Sequence, residues 1–301
     1  LKFLWPLALC IFSLDLGILV LGSSNRFLAS WFLVLQFDID CILKTSLMSS
    51  IVFITGATSG FGKAMAIKYA SHGFDLIITG RRKERLDELQ KEICKKYNTA
   101  VISLCFDIQN RKEVFDAIGT LPDKWKGVNI LINNAGLAAG RDYFDEASLD
   151  DWDTMIDTNV KGLLYATKAV LPFMIERGEG GHIINIGSTA GKEVYEKGNT
   201  YCASKFAVNA LSQGMRIDLL RHKIKVTAVH PGAAETEFSM VRFKGDASAA
   251  AKVYEGYKPL SAEDIADIVF YCTSLPAHVC INDLVLTSTS QANSFYLHKN
   301  S

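Results

Sequence analysis

From Ser50 onward, short apolar runs alternate with longer stretches in which apolar residues recur at helical spacing. The runs Ile51–Thr55, Asp75–Thr79, Ala100–Phe106, Val128–Asn133, His182–Gly187, Lys225–His230 and Asp283–Thr287 are rich in Val, Ile and Leu. They do not alternate strictly between apolar and polar positions, the pattern expected of strands covered on both faces. Between them, Lys63–Ser71, Lys83–Lys96, Arg111–Leu121, Leu149–Arg177, Thr200–His222 and Ala262–Ser274 read as helices. This alternation predicts an α/β fold, a doubly wound parallel sheet of seven strands with helices on both faces and right-handed crossovers. No linker rich in Pro, Gly or Ser and no internal repeat divides the chain, so residues 48–301 read as one domain.

Residues 1–47 read differently. Phe3–Leu21 is apolar but broken by Pro6 and Asp15, and a second apolar run spans Phe27–Leu35. Asp15 is costly at a bilayer centre, and no small-residue cleavage pattern with a basic flank accompanies the run. A complete strand-turn-helix unit starts just after Met48. The segment is taken as an upstream extension outside the functional domain, with a membrane anchor as the alternative.

Composition narrows the function classes. The 301 residues are 49% hydrophobic and 21% charged, and 32 basic side chains balance 32 acidic ones. A chain without excess or clustered positive charge is not built as a nucleic-acid surface. The seven cysteines are scattered and form no Cys-x-x-Cys, which argues against a metal site or a disulfide framework and for a reducing compartment. Cys202 reads as filler, and no His, Cys or acidic cluster has metal-ligand spacing.

The first strand runs into Thr55-Gly-Ala-Thr-Ser-Gly-Phe-Gly62, followed by a helix. Gly56 permits the sharp turn, Gly60 lets backbone approach a pyrophosphate, and Gly62 lets helix pack on strand. Ala57, Thr58, Ser59 and Phe61 complete a loop whose helix N-terminus offers N–H groups to phosphate. The second strand ends in Gly80-Arg81-Arg82, with no acidic residue to meet a ribose 2′-hydroxyl. Arg81 and Arg82 suit a 2′-phosphate instead, so the expected cofactor is NADP. Asp107 suits the adenine edge or a helix N-cap, and Ile108 follows it along the cofactor path.

Tyr201 and Lys205 stand four residues apart, on one face of a helix. An ammonium beside the phenol is expected to pull the Tyr201 pKa below its usual value of roughly 10. Ser188 ends the fifth strand, on the carboxyl side where open α/β sheets bind ligands. Two hydroxyls converging on a carbonyl oxygen suit hydride transfer, with Ser188 polarising and Tyr201 moving the proton. Lys205 is then expected to stabilise the phenolate and bind nicotinamide ribose. Asn159 is expected to hold a water linking Lys205 to solvent. Asn134, Ala135 and Gly136 end the fourth strand, where small residues let backbone approach the cofactor.

These motifs, taken in order, resemble the short-chain dehydrogenases/reductases over about residues 50–290. The resemblance implies a Rossmann-type fold and a catalytic tetrad of Asn159, Ser188, Tyr201 and Lys205. It also implies that Pro231, Gly232, Thr236 and Phe238 close around the nicotinamide end of the cofactor. The segments 133–138, 151–159, 182–191, 236–246 and 275–282 are similar to the NADP-dependent 3-hydroxy acid dehydrogenases, which include serine and malonic semialdehyde enzymes. That similarity implies small hydroxy acid or semialdehyde substrates and a cytoplasmic homotetramer. Ala139, Ala233, Ala234 and His230 depart from the usual residues near the active-site loop.

Arg141, Arg242 and Lys244 are candidates to hold a substrate carboxylate, or else surface charge. His182 and His230 read as structural, Asp150 and Asp151 as helix capping, and Trp152 and Met155 as packing. A broad carbonyl reductase and a non-catalytic dinucleotide sensor are the alternatives to a hydroxy acid enzyme.

Overall fold

The structure, a computed structural model, describes residues 50–299. The extension or anchor expected at residues 1–47 lies outside the described residues. Seven parallel strands form one sheet in the order β3-β2-β1-β4-β5-β6-β7. They are β1 Ile51–Ile54, β2 Asp75–Gly80, β3 Val101–Cys105, β4 Val128–Asn133, β5 Gly181–Ile186, β6 Ile224–Pro231 and β7 Asp283–Leu286. The order reverses between β1 and β4, and the cleft opens there, beyond their carboxyl ends.

Both faces of the sheet are covered, which is why the strands read as continuous apolar runs. On β1, Val52 and Ile54 pack against Met65, Ala66 and Tyr69 of helix α1 (Gly60–Ser71), joined by Leu86, Leu89 and Ile93 of α2 (Lys83–Lys96). Ile51 and Phe53 point the other way, towards Val114 and Ile118 of α3 (Arg111–Gly119). Successive side chains of a strand alternate faces, so four residues serve two cores. Tyr69 anchors the first core with edge-on contacts to Phe74 and Phe270.

The long helix expected over Leu149–Arg177 is interrupted. It forms α4 (Leu149–Ile156), a π-helical segment Asp157–Gly162, and α5 (Leu163–Arg177). The wider turn lets Asn159 point inward, where it is fully buried. The helix expected over Thr200–His222 is α6 (Asn199–Asp218), with a short 3₁₀ turn at Leu220–His222. Two helices that the apolar pattern did not reveal, α7 (Phe238–Arg242) and α8 (Ala247–Lys252), follow β6. The last helix, α9 (Ala262–Ser274), starts with a reciprocal capping box between Ser261 and Asp264.

Neither Asp150 nor Asp151 caps a helix: the N-cap position of α4 is Ser148, and Asp151 instead forms an ion pair with Lys244 at 2.8 Å. Both aspartates still lie in the first turn, where the helix dipole favours negative charge. Asp107 is not a cap either; Asn110 caps α3 by accepting from the backbone of Lys112 and Glu113.

Candidate active site

The loop from Thr55 to Gly62 is shaped by close approach. Gly56 and Gly60 adopt φ values of +67° and +51°, open to glycine without strain. A Cβ on Gly62 would run into the carbonyl oxygen of Gly56. The neighbouring strand end clamps the loop: Asn134 donates from its side chain to the carbonyls of Thr55 (2.8 Å) and Gly56 (3.0 Å). The Thr55 hydroxyl in turn accepts from the backbone of Asn134 and Ala135. The side chain of Asn134 is thus a brace for the loop.

A single cavity of about 870 Å³ runs along this loop. Gly56, Thr58, Ser59, Gly60, Phe61, Arg81, Arg82, Asp107, Ile108, Asn134, Ala135 and Gly136 line it. Ser188, Tyr201, Lys205, Pro231, Gly232, Thr236 and Phe238 line it as well, with Thr236 against Gly60 and Lys205 against Gly136. Three of the expected residues do not face it. Ala57 is buried in the core and donates from its backbone to Thr79, and Gly62 lies behind the turn.

Asn159 is the third. Its Oδ1 accepts from the backbone of Leu137 (2.8 Å), while its Nδ2 donates to the Leu137 carbonyl (2.8 Å) and to Ser204 Oγ (3.0 Å). The side chain is tied to the wall behind Gly136. A Cβ on Gly136 would lie 3.2 Å from Asn159 Oδ1 and 3.5 Å from Lys205 Nζ, so the small residue makes room for both.

At the phosphate end, Arg82 packs onto the loop. It donates to Thr58 Oγ1 (2.7 and 3.1 Å), to Ser59 Oγ (2.8 Å) and to Glu237 (3.0 Å). Arg85 reaches the same Glu237 carboxylate at 2.8 Å. The two arginines hold that carboxyl group below its usual range against the opposing effect of partial burial. This bridge spans more than 150 residues of sequence, and only the third dimension reveals it. Arg81 remains more open, 3.4 Å from Asp107, whose other oxygen accepts from the backbone of Gln109. The glycine cradle, Arg81 and Arg82 beside it and a cavity of this volume fit NADP.

At the other end, the Ser188 side chain stands beside the phenol of Tyr201 and both line the cavity. Ser188 Oγ also accepts from Ala190 N at 3.1 Å, fixing its rotamer. Lys205 donates to the Ile186 carbonyl at 3.0 Å, and its Nζ lies 6.0 Å from the Tyr201 ring centroid.

The expected lowering of the Tyr201 pKa is reversed. Burial pushes it up, Tyr195 adds to that, and Ser188 and Arg242 pull back only in part. Burial also pushes Lys205 down to about 8. Removing both groups from water penalises whichever form is charged, and the lysine is bonded to a carbonyl, not to the phenol. The phenol therefore stands protonated.

Neither His182 nor His230 lines the cavity. Burial, then Lys192, pushes His230 down to about 4, so its ring is neutral. Its Nδ1 lies 3.2 Å from the Ser188 carbonyl and its Nε2 3.5 Å from the Asp283 carboxylate. His182, also held low by burial, at about 3, bonds Thr227 at 2.7 Å. Sequence reasoning missed a buried polar seam: Asn133 bonds Thr167 and Asn185, and Asn185 bonds Ser212. It ties β4 and β5 to α5 and α6, and so fixes the platform under Ser188 and Tyr201.

The glycine loop at the switch point and the serine-tyrosine-lysine group on one cavity define a nucleotide-dependent oxidoreductase. The chain belongs to the short chain dehydrogenase family, whose profile matches residues 50–247. It is 47% identical over 251 residues to sulfoacetaldehyde reductase 2 of Chromohalobacter salexigens, covering 83% of this chain and 98% of that one. It is 46% identical over 243 residues to NADP-dependent 3-hydroxy acid dehydrogenase YdfG of Escherichia coli (strain K12), covering 80% and 96%. The closed form of serine dehydrogenase complexed with NADP⁺ matches its fold with a TM-score of 0.77 at 45% identity, covering 83% of this chain and all of that one. Among the described residues, no helix is long and apolar enough to cross a membrane.

Proposed function

We propose that this chain, an NADP-dependent short-chain dehydrogenase, interconverts small 3-hydroxy acids and their semialdehydes at C3. The observation that carries this reading is the Ser188–Tyr201 hydroxyl pair at the end of the loop-lined cavity, with Lys205 buried beneath it. When bound, NADP supplies the hydride acceptor or donor. Tyr201 gives its proton to the carbonyl oxygen in reduction and takes it back in oxidation, and Ser188 holds the same oxygen. Lys205 stabilises the phenolate that Tyr201 leaves behind. Asn159 acts as a positioning residue, holding Leu137 and the wall next to Lys205.

The substrates named for the relatives share one feature. A 3-hydroxy acid, serine and sulfoacetaldehyde each carry a carboxylate or sulfonate one carbon away from the reacting carbon. An anionic substrate is therefore the core of the reading, and a cytoplasmic homotetramer goes with it; sedimentation of the purified chain reads the assembly. The competing reading is a broad carbonyl reductase acting on neutral ketones and aldehydes. Comparing 3-hydroxy acids with their methyl esters separates the two. The acids are expected to have the higher kcat/KM with NADP; equal or faster turnover of the esters would overturn the hydroxy acid assignment.

A further inference from the structure

Three cations were candidates to meet a substrate anion, and the structure separates them. Lys244 is engaged with Asp151 and does not line the cavity. Arg141 and Arg242 both line it, and among the described residues neither has a carboxylate partner within ion-pair distance. Arg242 is the better placed of the two. It ends α7, and its carbonyl accepts from Gly140 N (3.1 Å), which ties α7 to the loop after β4. Its guanidinium carbon lies 5.5 Å from the Tyr201 ring centroid and 5.6 Å from that of Tyr195. Nη1 donates to the Tyr195 hydroxyl at 3.0 Å, while Nε is buried without a hydrogen-bond partner.

A guanidinium held by one neutral hydroxyl through Nη1, with Nη2 unpartnered among the described residues and the side chain lining the cavity, offers a donor suited to an anion. We propose that Arg242, oriented by Tyr195, is the substrate-anion residue, binding the carboxylate or sulfonate one carbon from the carbon that reacts at Tyr201. The inference rests on the hydroxy acid reading above and assigns the residue responsible for it. A neutral aldehyde leaves Arg242 unmet.

The test compares wild type, Arg242→Met and Arg242→Lys in NADPH-dependent reduction of malonic semialdehyde, of its methyl ester and of sulfoacetaldehyde. In Arg242→Met the kcat/KM ratio of acid to ester is expected to fall roughly 10- to 100-fold. Arg242→Lys is expected to recover part of it, since the charge remains and the fork is lost. A second readout needs no turnover: 3-hydroxypropionate binding to the enzyme–NADPH complex, followed by nicotinamide fluorescence, should weaken by a similar factor. The wild-type kcat/KM values of the two anions show which head group the arginine serves. An unchanged acid-to-ester ratio in Arg242→Met, including an equal loss on both substrates, would overturn the assignment. A wild type that prefers the ester would overturn the functional reading itself, and that result appears before any substitution is made.

Discussion

Tyr201→Phe is expected to lower kcat by about 10²- to 10⁴-fold while NADP binding persists. The ring is nearly buried, 8% exposed, and packs 5.7 Å from the Phe238 ring, so phenylalanine fills the same volume. Only the hydroxyl that faces Ser188 in the cavity is lost. Because burial holds the phenol in its protonated form, reduction should suffer for want of a proton donor. Cofactor affinity, read by quenching of protein fluorescence, depends on the glycine loop and Arg82 and should be retained. Near-normal turnover in the variant would show that another group supplies the proton.

Lys205→Met should abolish most activity and yet make the protein more stable at pH 7. Burial pushes the Lys205 pKa from 10.5 to about 8. The folded state therefore binds this proton less tightly than the unfolded chain does. Below pH 8 the group is charged in both states, and the full destabilising effect, on the order of 3 kcal/mol, is present. The bond from the charged ammonium to the Ile186 carbonyl returns about 1.5 to 3 kcal/mol, so the gain of the variant at neutral pH should be about 1 kcal/mol. Between about pH 8 and 10.5 the unfolded wild type binds more protons than the folded form, so wild-type stability rises with pH and the advantage of the variant shrinks. Denaturant unfolding at pH 7 and pH 10 reads both values. A variant less stable than wild type at pH 7, or a gap that does not narrow with pH, would contradict a charged, buried Lys205.

The fold was legible because the sheet is covered on both sides. Continuous Val, Ile and Leu runs reveal such strands directly, and the glycine loop marks the first crossover. The π-helical segment was hidden because one wider turn within 149–177 leaves the apolar stripe on either side intact. That turn nonetheless sends Asn159 inward to Leu137. Helix α8 did carry a signal: Asp246 accepts from Ala249 N ahead of an alanine-rich stretch of high helix propensity.

The candidate site was legible in its residues and less so in its electrostatics. Spacing brings Tyr201 and Lys205 onto one face of a helix, but it carries no information on burial, and burial sets the sign of both pKa shifts. Likewise, the sequence lists Arg242 and Lys244 as equals. Only the placement of Asp151 beside Lys244, and of Tyr195 beside Arg242, tells them apart.

The most direct measurement is steady-state reduction of NADP and NAD by serine, allo-threonine and 3-hydroxypropionate with the purified chain. Saturable turnover of at least one of these acids is expected, with NADP favoured over NAD. No turnover across the acids alongside brisk turnover of neutral alcohols would contradict it.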